Sequence, residues 1–181
     1  MKDKENIKEN LIALWKKSEK DRVLKIKGTS MKPLIVEGST ITCRPILDSG
    51  NLKIGDIAVF GRSGIVVHRI VDRIRKDGKT WFKEKGDNSF FPTLITSDAI
   101  IGKVIGVNKN DMNIDLTRYR WFFLNRFIGY YWKTLFTGLE VMITVKNKIA
   151  GQMKFHFVGP TFRKISRLLI KLPTKLFRSN S

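Results

Sequence analysis

Short apolar runs separated by glycine-containing turns fill residues 23–117 and predict a domain built mainly of β-strands. The clearest run surrounds His68 and has β-branched residues on both sides, namely Val66, Val67, Ile70 and Val71. Side chains alternate across a strand, so His68 shares one face with Val66 and Ile70. Turns are predicted at the glycines between the runs, which are Gly38, Gly55, Gly86 and Gly102.

The two ends of the chain have a helical period instead. Residues 1–22 place Ile7, Leu11, Leu14 and Trp15 on one helical face, with lysine and glutamate on the others. Residues 118–181 begin with closely spaced aromatic residues, and near their end apolar positions recur at helical spacing, at Phe162, Ile165, Leu168, Leu169 and Leu172. The pattern predicts an N-terminal amphipathic helix over 1–22, a β-domain over 23–117 and a largely helical region over 118–181.

Composition limits the classes of protein that the chain can belong to. With 181 residues, of which 42% are hydrophobic, it can bury one core, and we expect one domain with appended helices. The single cysteine, Cys43, excludes an intrachain disulfide, and one cysteine with two histidines suggests no zinc ligand set. We expect no metal and no cofactor. The sequence has no signal-peptide pattern and no apolar run of the ~18 residues that favour a spanning helix.

Positive charge is concentrated in the C-terminal region. Residues 118–181 contain 13 lysines and arginines but one acidic residue, Glu140, in a chain whose formal net charge is +19. Basic helices with aromatic faces are suited to an anionic bilayer surface, so we favour peripheral membrane attachment through this region. Bases among stackable aromatic rings also describe a single-strand nucleic-acid surface, which we consider the weaker interpretation. A dimerisation or leader-peptide docking element is the third.

Three residues with the chemistry of an activated hydroxyl occur in order along the β-region. Ser30 lies in the run GTSMKP, His68 in IVVHRIV and Asp87 in KEKGDN. An imidazole can accept the serine proton, and a carboxylate can hold the imidazole in the required tautomer. We therefore select Ser30 as nucleophile, His68 as general base and Asp87 as the orienting carboxylate. Asp98 and Asp56 are the reserve carboxylates.

The surrounding boxes GTSMKPLIVEGSTI, KIGDIAVF, IVVHRIV, FKEKGDN and IIGKVIGV, over residues 26–107, resemble those of type I signal peptidases. The bacterial membrane enzymes use a lysine base where this chain has His68, so the resemblance is to the endoplasmic-reticulum and archaeal type. It implies a twisted, mostly antiparallel β-fold of the kind that LexA-type repressors share. It also implies that Met31 packs beneath the site and that Pro33 stiffens the exit from the serine turn.

Two departures from that family affect the site. Family members of the histidine type commonly have a further aspartate beyond the GDN turn, where this chain has Phe90–Thr93. Many signal peptidases also have an oxyanion-binding serine at the position of Gly28. We expect the backbone N–H of Ser30, with help from Thr29, to provide more of the stabilisation of the oxyanion.

The resemblance implies a serine endopeptidase that cleaves a signal or leader peptide from a precursor polypeptide, with small side chains next to the cut. The protein would be membrane-associated, or cytoplasmic if it trims the leader of a small modified peptide. The alternative is a non-catalytic, protease-like scaffold whose basic region binds membrane or nucleic acid. Nothing in its spacing connects His156 to the other candidates.

Overall fold

Eight antiparallel strands form one sheet in the computed structural model, which describes residues 10, 12–15, 17–61, 64–109 and 112–149. The strands are β1 Arg22–Lys25, β2 Thr40–Pro45, β3 Ile57–Gly61, β4 Ile65–Lys76, β5 Lys79–Lys85, β6 Thr93–Thr96, β7 Ile100–Lys109 and β8 Met112–Asp115. Their order is β1-β2-β7-β3-β4-β5-β6. Strand β3 pairs with the first residues of β7, and β8 pairs with its last residues, Gly106–Lys109. The prediction of a mainly β fold is confirmed.

Both faces of the central strand β3 are buried. Ile57 and Val59 belong to one apolar cluster, and Ala58 and Phe60 belong to a second cluster on the opposite face. A strand covered on both sides has a continuous apolar run rather than an alternating one, as the sequence IAVF has. The sheet therefore folds round a core that fixes the positions of its neighbours β4 and β7.

One long helix, α1 (Tyr119–Ile149), follows the sheet and packs against β4. Ile128, Trp132 and Phe136 form a buried cluster with Val71 of β4. The backbones touch at Gly129, where an added Cβ would lie 2.4 Å from the Gly55 nitrogen, so only glycine fits at this crossing. The C-terminal region is thus helical as far as residue 149, and the second half of that prediction, residues 150–181, lies outside the described residues.

The described part of the N-terminal segment is helical at residues 10, 12–15 and 17, and Trp15 of this segment is 7% exposed in the main core cluster. Residues 1–9 of the predicted helix lie outside the described residues. No helix in the described part of the chain combines the length and apolar content that crossing a membrane requires.

Candidate active site

Ser30 and His68 are joined by a hydrogen bond. Ser30 lies in the connection between β1 and β2, and its Oγ is 2.9 Å from Nε2 of His68 on β4. Buried Met31 and Ile35 tie the serine turn into the core, and the amide of Ile35 donates to the Met31 carbonyl. The ring of Phe60 meets the His68 imidazole edge to face. The hydroxyl and the imidazole thus have the geometry of a nucleophile with its base.

The turn Gly86–Asn88 supports the serine from the other side. The Asn88 amide donates to the Ser30 carbonyl at 2.7 Å, and the Asn88 side chain reaches the Thr29 carbonyl at 3.4 Å. An added Cβ on Gly86 would lie 2.9 Å from the Ser30 Cβ. Position 86 therefore requires glycine because the two turns are in contact, and not only because it is part of a turn.

The carboxylate next to the imidazole is Glu84, which the sequence pattern did not single out. Its Oε2 lies 2.5 Å from His68 Nδ1, and the Thr93 hydroxyl donates to its Oε1. Glu84 is 1% exposed, whereas the His68 side chain keeps 17% of its surface accessible. A buried carboxylate on Nδ1 holds the tautomer in which Nε2 can accept the serine proton.

The expectation that Asp87 contacts the imidazole is corrected by the structure. Its two carboxylate oxygens accept from Nε and Nη2 of Arg69 at 2.8 and 2.7 Å. Arg69 is fully buried, and its Nη1 also donates to the carbonyl of Gly55 and to Oδ1 of Asn125 on α1. Asp87 thus neutralises a buried guanidinium and lies on the opposite face of the sheet from His68.

The reserve carboxylates are also placed elsewhere. Asp56 contacts Lys103 at 3.1 Å and Arg126 at 2.8 Å, and its Oδ2 accepts from the Lys53 amide. Asp98 lies in the 3-10 turn Ser97–Ala99 beyond β6. Both ring nitrogens of His68 are already engaged, by Ser30 and by Glu84.

A β-bulge decides which carboxylate reaches the histidine. The tight turn at Asp77 and Gly78 pairs Lys76 with Lys79, and unbroken pairing from there would set His68 opposite Asp87. The pairing instead skips Val71, so that Ile70 lies opposite Glu84. A shift of one residue exchanges the faces of a strand. Glu84 therefore joins His68 and Ile70, while Asp87 joins Arg69.

The sequence contains part of this signal. The Asp77-Gly78 hairpin turn marks the register, and Glu84 is the acid closest before the GDN turn. The bulge itself has no local signature, because Val71 suits a regular strand. It is held by tertiary packing, since Val71 is 1% exposed and lies against Ile128 and Trp132 of α1.

Lys85 is a further buried charged residue beside the site, in addition to Glu84, Asp87 and Arg69. Its Nζ donates to the Gly86 carbonyl at 2.8 Å and lies 3.6 Å from the ring centre of Trp132. Burial lowers the pKa of Lys85 to about 8; Asp87 opposes this shift and Arg69 adds to it. The side chain thus connects the GDN turn to α1.

An open groove of about 380 Å³ leads to the serine. Its walls are residues 24–28 and 65–67, with Ser30, Met31 and Ile35 at its base. Within the described residues β1 pairs with β2 alone, and β4 meets β5 only from Arg69 onward. Both walls therefore present strand edges that an extended peptide can pair with.

The remaining predicted positions surround the nucleophile. Thr29 is exposed, Met31 is 3% exposed in the core, and Pro33 follows a cis peptide bond in the serine turn. An added Cβ at Gly28 would meet nothing within 4 Å. Among the described residues, no group of three or more His, Cys, Asp or Glu side chains could hold a metal ion. His156 lies outside that part of the chain.

The chain also matches a known protein family. The Peptidase S24-like family model matches residues 2–105, which is more than half of the chain and contains Ser30, His68 and Glu84. The chain belongs to the Peptidase S24-like family. This membership supports a peptidase-type scaffold in general and leaves the finer resemblance to signal peptidases as an expectation. No curated protein matches the chain. Helix α1 follows the segment that the family model matches.

Proposed function

We propose that this S24-like protein is a serine endopeptidase in which Ser30 attacks a peptide carbonyl. The supporting observation is the row of hydrogen bonds from the Ser30 hydroxyl through both nitrogens of His68 to Glu84. His68 Nε2 takes the serine proton as the Oγ–carbon bond forms, and then gives it to the leaving amine as the peptide bond breaks. Water hydrolyses the acyl-enzyme by the same route and regenerates the hydroxyl.

The oxyanion formed in that step needs a donor already in place. The backbone N–H of Ser30 is adjacent to the reacting oxygen, and Gly28 offers no side-chain hydroxyl. Loss of one such donor typically raises a barrier by about 2.7–4 kcal/mol. The hydrogen bond between Asn88 and the Ser30 carbonyl therefore has a catalytic consequence, because it holds the orientation of the serine backbone.

The substrate that we propose is an extended segment of a precursor polypeptide, cleaved after a small side chain in a signal or leader peptide. The groove supports an extended segment, since it is lined by the edge of β1 at Leu24 and Lys25 and by the edge of β4 at residues 65–67. The preference for small side chains and for a signal or leader peptide comes from the resemblance of the boxes around Ser30 and His68 to those of signal peptidases.

The decisive experiment is labelling with a peptide-based acylating probe, read by mass spectrometry of the modified residue. We expect an adduct on Ser30 in the wild type and none in Ser30→Ala, with His68→Ala reduced by several orders of magnitude. Ser97→Ala is the matched control and should label normally, since Ser97 lies in the turn after β6. An adduct elsewhere, or cleavage that persists in folded Ser30→Ala, would refute the assignment of Ser30 as nucleophile. A folded wild type that neither reacts with the probe nor cleaves peptide would instead leave the non-catalytic scaffold.

A second assay determines whether the substrate is cleaved in solution or only at a membrane. The purified chain is offered a leader-bearing precursor with and without lipid vesicles. Cleavage in the absence of vesicles supports leader trimming in the cytosol. Cleavage that requires vesicles rejects that version and supports processing at a membrane.

A further inference from the structure

Helix α1 has a second apolar face, opposite the one that packs on the sheet. The packed face contains Asn125, Ile128, Trp132 and Phe136, all buried. At spacings of three and four residues on the other side lie four aromatic residues that are between 51% and 77% exposed: Tyr119, Phe123, Phe127 and Tyr130. We call these four residues the aromatic face. A helix that only covers the sheet would be polar on this side.

Further apolar side chains are exposed towards the end of the helix. Val141 and Val145 extend the line of the aromatic face by further helical turns and are 55% and 47% exposed. Met142 and Ile143, on other sides of the same turns, are exposed as well. Exposed Thr134 and Thr137 separate these residues from the aromatic face, so the contiguous apolar patch is the aromatic face itself. A patch of four exposed aromatic side chains marks an interaction site rather than ordinary surface variation.

The charges around the aromatic face are almost all positive. Arg118 and Arg120 are exposed at the start of the helix, where Arg118 lies 3.8 Å from Asp115, and Lys148 is exposed near its end. The single acidic residue of the helix, Glu140, is already paired with Lys83 at 2.6 Å. The partner that this face fits must therefore be anionic at its surface and apolar just below.

We propose that the aromatic face docks α1, lying parallel to the membrane plane, on an anionic lipid bilayer. Tyrosine and phenylalanine rings would enter the headgroup and upper acyl region, and Arg118 and Arg120 would meet lipid phosphates. A second copy of the chain is a poorer match, because packing two such faces together would bring Arg120 of each copy close to the other positive charges at the start of the partner helix. Charge complementarity thus selects the lipid surface.

The packed face of α1 explains how docking could orient the catalytic groove. Asn125 accepts from Arg69, which holds Asp87 of the GDN turn beneath Ser30. Lipid binding on the other side of the helix leaves these contacts intact, so the helix can dock without leaving the sheet. The inference does not rest on hydrolysis, and folded Ser30→Ala is expected to bind vesicles as the wild type does.

The test is co-sedimentation of the full chain with vesicles of phosphatidylcholine alone or mixed equally with phosphatidylglycerol. We expect binding to the mixed vesicles, reduced about tenfold or more by the double substitution Phe123→Ser and Phe127→Ser. Arg120→Gln should reduce binding about fivefold, and only on the anionic vesicles. Circular dichroism and thermal melting check that each variant is folded; if the double variant is not, Tyr130→Ser and Arg120→Gln carry the test.

Matched controls come from the same chain. Phe91→Ser removes a phenylalanine that is 77% exposed in the loop before β6, and Arg75→Gln removes an exposed arginine on β4; both should bind vesicles normally. Equal loss in the controls, or no loss in the aromatic-face variants, overturns the proposal. So does light scattering that reveals a dimer which the double substitution dissociates. Binding of single-stranded RNA, lost in these variants without any vesicle binding, overturns it in favour of nucleic acid.

Discussion

Glu84 and Asp87 are three residues apart, nearly fully buried, and yet they belong to different structures. Glu84 meets an imidazole whose other nitrogen bonds the hydroxyl of Ser30 at an open groove, while both oxygens of Asp87 are held by a guanidinium with no exposed surface. The first arrangement can respond to a proton arriving on His68. The second is already neutralised and rigid. Burial of a carboxylate therefore does not identify its role. The role is identified by the group that the carboxylate contacts and by whether that group is accessible to solvent.

The largest effect is expected from Glu84→Gln, which keeps the size of the side chain and removes its charge. The neutral amide no longer stabilises the imidazolium and can favour the wrong tautomer, so kcat/KM should fall about 10³–10⁴-fold. The measurement is peptide cleavage together with proton NMR, where the far-downfield signal of the His68 Nδ1 proton should disappear. Glu84→Asp should recover part of both; a loss of activity with the NMR signal unchanged would contradict the assignment.

The next effect concerns stability rather than chemistry. Asp87→Asn leaves the Arg69 charge buried without a counterion, so the free energy of unfolding should fall by about 3–5 kcal/mol in urea titrations. The pair Asp21 and Arg44 offers a matched control, because it has the same two-bond geometry with the Arg44 side chain 58% exposed. Asp21→Asn should cost less than about 1 kcal/mol. Equal costs would show that burial does not separate the two pairs.

The effect of burial on a charged group can also be measured through the pH dependence of stability, at Lys85. Because burial lowers its pKa from 10.5 to about 8, the unfolded chain binds the extra proton between those values. The contribution of this group to the free energy of unfolding of the wild type should therefore increase as pH rises from 8 to 10.5. This contribution is lost again as pH falls back through that range to 8. Relative to Lys85→Met, the gain is on the order of 3 kcal/mol. Parallel stability curves for the two proteins would contradict it.

The smallest effect is expected from Asn125→Leu, which removes the acceptor that α1 offers to Arg69. One guanidinium N–H is left without that partner in a buried position, so the free energy of unfolding should fall by about 1–3 kcal/mol. Activity per folded molecule should change little, since Asp87 still holds Arg69. Thr134→Leu, an exposed position on the same helix, is the control and should change stability by less than about 0.5 kcal/mol.

The amino-acid sequence by itself determined the strand character of residues 23–117, the helical character at the start of 118–181, and the choice of Ser30 and His68. These features depend on neighbours along the chain: a period of two marks strands, a period near 3.6 marks helices, and a serine in a turn or a histidine in an apolar strand is visible in a few letters. The GDN turn was visible for the same reason.

Tertiary structure alone decided the carboxylate. Regular pairing from the Asp77-Gly78 turn would have set Asp87 against His68; the bulge at Val71 shifts the register and brings Glu84 there instead. That bulge is stabilised by Ile128 and Trp132 of α1, more than fifty residues along the chain. A register shift of one residue leaves the local strand propensity unchanged but moves every following side chain to the opposite face of the sheet. It therefore depends on packing with distant residues, which no short stretch of sequence contains.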